Sequence, residues 1–203
     1  MNGLWLDAHA HLWEFSLLNY FPSLKEACSL DECLAIMNAE VFGDWRVGAF
    51  LKPENYEDEQ VPDRRNLDRF FGAHPAVVIW EYLHQVSMNT EAMERLGMSS
   101  ENGVFRQNDV YYIPNQIFKM AGMDGRTIVR KGWQRLVELG YGRVIDMTMD
   151  KSKRKLFGKI DFYTSDWDLL DEALGFKIFL DGSLGMRTAA LQQMYNDDPG
   201  NYG

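Results

Sequence analysis

The chain has 203 residues, 46% apolar and 25% charged, with a net charge of −9 and a pI near 4.9. That is a globular composition with enough chain for one sizeable core. The acidic balance argues against nucleic acid or an anionic membrane as partner, because no basic surface is present to release counterions. No run of about eighteen apolar residues predicts a membrane span, and no basic-then-apolar opening predicts a signal peptide.

The first predicted element, Leu6–Leu12, is short, apolar and alternating, and reads as a buried β-strand. Side chains two apart on a strand share a face, so His9 and His11 project together, roughly 6–7 Å apart. Two imidazoles on one strand either bind a divalent metal or are satisfied histidines of a buried strand. Residues 13–28 are mixed and aromatic-rich. Ser29-Leu30-Asp31-Glu32 is a capping box opening a helix with apolar positions Leu30, Cys33, Leu34 and Met37, ended by Gly43. Cys28 and Cys33, five apart in that helical context, predict no disulfide and a reduced, cytoplasmic setting.

Trp45–Leu51 alternates into a second strand, and residues 52–66 read as a polar surface loop. Leu67–Phe71 reads as a short helix and Val77–Leu83 as a third strand, followed by His84. His74, before Pro75, reads as a loop residue. Asn89–Leu96 is helical and stopped by Gly97. Val104–Arg106 and Val110–Pro114 are either short strands of an insertion or irregular loop. Ile128–Leu139 is a helix closed by Gly140, Arg143–Met149 a strand, and the basic run Lys151–Lys155 a solvated loop. Ser165-Asp166-Trp167-Asp168 starts a helix ending near Gly175, and Phe176–Leu180 is the last strand. Asp181-Gly182-Ser183-Leu184-Gly185 and residues 197–203 are turn chemistry. Strands alternating with helices predict parallel β/α units. The strands number about five, short of a complete eight-stranded barrel, which takes about 250 residues.

Asp7-Ala8-His9-Ala10-His11 resembles the first-strand metal motif of the amidohydrolase superfamily. The stretch from Lys177 to Leu191 (KIFLDGSLGMRTAAL), followed by Asp197-Asp198-Pro199-Gly200-Asn201-Tyr202-Gly203, resembles amidohydrolase family 3 more specifically. Ser29–Glu32, Pro62–Asp68 and Leu83–Met93 are similar to that family in kind and order. The resemblance implies a partial (β/α)8 TIM barrel of the metal-dependent hydrolase type, with an insertion around residues 85–126, as a single incomplete barrel domain over residues 1–203. It implies hydrolysis of an amide-type, non-peptide C–N bond in a small-molecule substrate, using one or two divalent ions, zinc first. In such a centre the metal brings its bound water to a pKa near 7 and polarises the carbonyl, while a carboxylate takes the proton.

The resemblance makes His9 and His11 metal ligands. Lys177 stands where related enzymes carry a lysine that in some is carboxylated and bridges two metals. Here Lys177 is either that ligand and catalytic group or a lysine paired with Asp181 or Asp146. Asp181 either serves catalysis or only the turn. Arg187 either binds a substrate carboxylate or pairs with Asp197 or Asp198, and His84 is either a substrate contact or a loop histidine. The four histidines are 9, 11, 74 and 84, so the superfamily's later histidines and its eighth-strand aspartate have no counterpart. The sequence therefore predicts the front part of a barrel, completed by a missing C-terminal half or by oligomerisation. The alternative function is a catalytically inactive fragment or interaction module that keeps the fold.

Overall fold

The structure is a computed structural model that describes residues 5–56, 61–81, 85–106, 108–182, 184 and 187–203. In chain order the elements are β1 (Trp5–Ala10), α1 (Leu12–Leu18), α2 (Leu30–Ala39), β2 (Arg46–Leu51), α3 (Arg64–Phe71), β3 (Ala76–Trp80), β4 (Gln85–Met88), α4 (Thr90–Leu96), β5 (Val104–Arg106), α5 (Asn108–Met120), α6 (Gly125–Glu138), β6 (Tyr141–Met149), α7 (Lys151–Arg154), β7 (Asp161–Thr164) and β8 (Gly175–Phe176). The fold is α/β with two four-stranded sheets, β1-β6-β7-β8 and β2-β3-β4-β5. Among the described residues no helix is long and apolar enough to cross a membrane.

The chain divides into two compact units. The larger takes residues up to Leu6 and His11–Arg143, the smaller Asp7–Ala10 and Val144–Gly203. In the larger unit β2 pairs with β3 in parallel, and β4 and β5 extend that sheet antiparallel, with Val78 opposite Ser87 and Val86 opposite Phe105. One core is built from Leu34 and Met37 of α2, Leu67 and Phe71 of α3, and Leu51 and Val78 of the sheet. The capping predicted at Ser29 is present in a shifted form. The Ser29 hydroxyl accepts from the Glu32 N–H, while the Glu32 carboxylate reaches past Ser29 to the Cys28 N–H at 2.8 Å. Helix α2 ends at Ala39 rather than Gly43, whose φ of +63° instead serves the turn between Phe42 and Trp45.

Asn89 caps α4 and is fully buried. Its carbonyl oxygen accepts from the N–H groups of Ala76 and Ala92, each at 2.9 Å, and its amide donates to the His74 carbonyl at 2.9 Å. One side chain thereby fixes the start of β3, the turn after α3 and the start of α4.

In the smaller unit β6 pairs with β7, and β7 with β8, in parallel, within a four-stranded parallel sheet whose outer strand on the other side is β1. The strand predicted at Leu6–Leu12 is corrected in two respects. It runs Trp5–Ala10, and Leu6, Ala8 and His9 are exposed. The cause is local. Leu12, Trp13, Ser16 and Leu17 are buried at helical spacing, so α1 begins immediately and takes Leu12 out of the strand. The last strand is also shorter than Phe176–Leu180. Only Gly175–Phe176 belongs to the ladder, and Ile178, Phe179 and Leu180 are exposed. The basic run is a helical turn, α7, capped by Asp150. The stretch interposed between the first and second strands of this sheet is far longer than the expected insertion at 85–126, since it runs from His11 to Gly140.

Candidate functional site

Strands β6 and β7 each end in the same three-residue pattern. Thr148-Met149-Asp150 closes one and Thr164-Ser165-Asp166 the other, the strands themselves ending at Met149 and Thr164, and both aspartates cap the helical turn that comes next. Asp150 accepts from the Ser152 and Lys153 N–H groups at 2.8 and 3.0 Å, and Asp166 from the Asp168 N–H at 3.0 Å. Thr164 is fully buried and ties the strand ends together. Its hydroxyl donates to the Met149 carbonyl at 2.7 Å and accepts from the Asp166 N–H at 3.0 Å, while its carbonyl accepts from the Lys177 N–H at 2.8 Å.

This arrangement frames a cavity of about 650 Å³ at the carboxyl ends of β6, β7 and β8, lined among others by Met149, Asp150, Ser165, Trp167 and Phe179. Ligands of parallel α/β sheets bind at that end of the strands. Trp167 lies in the 3-10 helix Trp167–Glu172 and stacks on Phe176 with ring centroids 4.2 Å apart and planes inclined by 25°. Burial works to raise the Asp150 pKa, but the Ser152 hydroxyl and the N–H groups of Lys153 and Ser152 outweigh it and hold the carboxyl below the usual carboxylate range. The Asp168 carboxylate pairs with the Lys151 ammonium.

Of the residues singled out by the sequence, Lys177 comes nearest to this cavity. It follows β8 directly, its carbonyl accepts from the Ser165 hydroxyl at 2.7 Å, and its ammonium lies 4.6 Å from the centroid of the Phe179 ring. His9 is on β1, the opposite outer strand of the same sheet, and its N–H donates to the Asp7 carboxylate at 3.0 Å. His11 is the residue before α1, exposed, with its carbonyl accepting from the Phe15 N–H at 2.8 Å. Asp181 is exposed and accepts from the Ala190 N–H at 3.0 Å, closing the loop after β8. Asp146 is buried and accepts from the Thr148 N–H at 2.9 Å.

Arg187 has a left-handed φ of 58° and grips both carboxylate oxygens of Asp197, while also donating to the Leu184 carbonyl at 2.8 Å. That hydrogen-bonded pairing holds the Asp197 carboxyl below and the Arg187 guanidinium above its ordinary pKa. His84 lies outside the described residues. The cavity residues Thr148, Asp150, Ser165, Asp166 and Trp167 carry no signature of a known motif. The repeated Thr-x-Asp at two strand ends is the signal from which they could be read.

Among the described residues no three or more His, Cys, Asp or Glu side chains gather closely enough to hold a metal ion. A catalytic zinc takes about three protein ligands besides water. Two imidazoles and an ammonium fall short of that set, so the described residues do not by themselves fit a complete metal centre.

No family model and no curated protein matches the chain. Solved structures do. The fold is similar to that of an uncharacterized metal-dependent hydrolase from Pyrococcus horikoshii OT3, with 21% identity and a TM-score of 0.71 over 99% of this chain and 47% of that one. It is likewise similar to an uncharacterized metal-dependent hydrolase from Pyrococcus furiosus, with 22% identity and a TM-score of 0.68 over 99% of this chain and 49% of that one. The chain therefore spans about half the length of these structures, and what it shares with them is the fold.

Proposed function

We propose that this chain is the part of a metal-dependent hydrolase that supplies the first four strands of its β/α barrel. The observation that carries this reading is the order β1-β6-β7-β8, in which the strand that bears His9 and leads into His11 and the one leading into Lys177 flank a single parallel sheet in chain order. The likeness to proteins named metal-dependent hydrolases supports it. On this reading residues 11–140 are an insertion between the first and second barrel strands.

His9 and His11, by their motif, and Lys177 are the proposed ligands from this chain for a divalent ion, zinc first. Lys177 qualifies as a ligand once carboxylated, because a carbamate offers anionic oxygens that an ammonium lacks. The remaining ligands lie outside the described residues. The likeness of Lys177–Leu191 to amidohydrolase family 3 makes an amide-type C–N bond the proposed target and Asp181 a proposed catalytic neighbour. Arg187 would meet a substrate carboxylate only by exchanging it for Asp197, and His84 is a proposed substrate contact by motif alone. The free thiols of Cys28 and Cys33 suit a reducing cytoplasm.

The test is metal content by inductively coupled plasma mass spectrometry after loading with zinc and desalting. Wild type retains zinc and the double variant His9→Ala/His11→Ala does not. Equal retention by both refutes the assignment. A second reading, a chain that keeps the fold without completing the site, is favoured by the absence of a three-ligand group among the described residues, and it predicts retention by neither. Ile178, Leu180 and Leu184, all strongly exposed beside β8, are the proposed contact with a second copy. A monomeric mass by light scattering would refute that contact.

A further inference from the structure

We propose that the cavity at the carboxyl ends of β6, β7 and β8 binds the planar aromatic ring of a neutral small molecule, with Trp167 as the stacking platform. Its volume of about 650 Å³ lies within the roughly 300–1,000 Å³ of small-molecule sites. Trp167 is 72% exposed yet held in place by the stacked ring of Phe176 behind it. An indole backed by a second ring and left in water has one face available for stacking. Phe179, which also lines the cavity, is already engaged by the Lys177 ammonium, which leaves the indole as the platform for a ligand.

The lining carboxylates do not call for a cationic ligand. Asp150 and Asp166 are occupied as helix caps, and Asp168 is paired with Lys151. They make an anionic ligand unfavourable. A neutral, flat group is what remains. Calling that group part of the substrate rests on the hydrolase reading. The binding itself does not, because no residue of the cavity is among the proposed metal ligands His9, His11 and Lys177.

The test compares two neutral amides of nearly equal size, acetanilide and N-cyclohexylacetamide, titrated against the full chain in EDTA and followed by saturation-transfer NMR. Working without metal separates this test from that of the metal site. Stacking on an aromatic platform predicts that acetanilide binds about two- to tenfold tighter. Trp167→Ala abolishes that preference and Trp167→Phe keeps it. Trp167 is exposed, so both variants should retain the wild-type circular dichroism spectrum. Equal affinities for the two amides, no saturation transfer to acetanilide up to its solubility limit, or an unchanged preference in a folded Trp167→Ala variant each overturn the proposal. Should Trp167→Ala fail to fold, the wild-type preference and its retention in Trp167→Phe decide the matter.

Discussion

Replacing Thr164 by Val tests whether the strand ends around the cavity are held as described. Valine keeps the shape and β-branching of threonine, so the sheet keeps its packing. What is lost is the hydroxyl, which donates to the Met149 carbonyl at 2.7 Å and accepts from the Asp166 N–H at 3.0 Å. A neutral hydrogen bond contributes about 0.5–1.5 kcal/mol net, and a buried partner left unsatisfied costs about 1–3 kcal/mol. Thr164 is fully buried and Asp166 only partly so. Water can therefore compensate the Asp166 N–H, while the Met149 carbonyl, on a buried residue, loses its hydroxyl donor with no water to replace it. The expected loss is about 2–4 kcal/mol. At about 2–4 °C per kcal/mol for a chain of this length, the melting temperature falls by about 4–16 °C. Urea denaturation followed by circular dichroism measures the loss directly. Thr164→Ser keeps the hydroxyl and loses one methyl, so it should cost only about 1 kcal/mol. A Thr164→Val variant within about 0.5 kcal/mol of wild type would refute the bridging role.

Gly132→Ala should destabilise, because a Cβ there would stand 2.6 Å from the Ser16 Cα where α1 and α6 pack. Alanine gains about 1 kcal/mol in helix propensity, but relieving a clash with backbone requires α1 to move. We expect a net loss of about 1–3 kcal/mol, read as a lower melting temperature, and an unchanged or higher one would contradict the close crossing. Burial pushes the Cys33 thiol up to about 12, while Cys28 is exposed, so iodoacetamide at pH 8 should add one label to the native chain and two in guanidinium. Equal labelling of both cysteines in the native state would argue against the buried position of Cys33. Asp150, whose carboxyl is held below the usual range, contributes stability that is present above its unfolded pKa of about 4 and is lost as pH falls through its lower folded value. Asp150→Asn should therefore be less stable than wild type near neutral pH and approach it in acid, and a difference that stays constant with pH would count against the cap.

The parts of the fold that a reader could take from the sequence are those set by local chemistry. Asn89 with Gly97 brackets α4 because the amide satisfies the first N–H groups and the glycine takes the left-handed exit. Asp63 with Asn66 is an equally complete capping box opening α3. It is harder to see, because Asn replaces the usual Glu or Gln. The strand β7 is four residues long, and its pattern of partly buried Asp161 and Tyr163 against buried Phe162 and Thr164 becomes decisive only once β6 and β8 flank it. The Phe-Lys-Ile-Phe-Leu run errs in the other direction. Its composition favours a strand, but after Lys177 the chain leaves the ladder, since strand propensity reflects the partners available and not the backbone alone. Val110–Pro114 lies within α5, where the proline interrupts the helical ladder without ending the helix.

The histidine strand and the strand ends describe two different kinds of legibility. His9 and His11 are conspicuous as residue types, and the structure puts them on and just beyond an exposed outer strand, where their chemistry depends on groups that no local pattern specifies. Thr148, Asp150, Thr164 and Asp166 are ordinary as residue types, yet each pair ends a strand and caps a turn. Asp150, Thr164 and Asp166 set the shape of the cavity through bonds of 2.7–3.0 Å. A caps-and-ties framework of this sort holds the backbone at the carboxyl end of a sheet in one conformation without committing the side chains that project from it. Trp167, Phe179 and Lys177 are carried on that framework, one residue past a cap, three residues past a strand and one residue past a strand. Their side chains are not among those that cap or tie the frame. A change at Thr164 should weaken stability and binding together, whereas a change at Trp167 should weaken binding alone. The separation of those two outcomes distinguishes the frame from the site it carries.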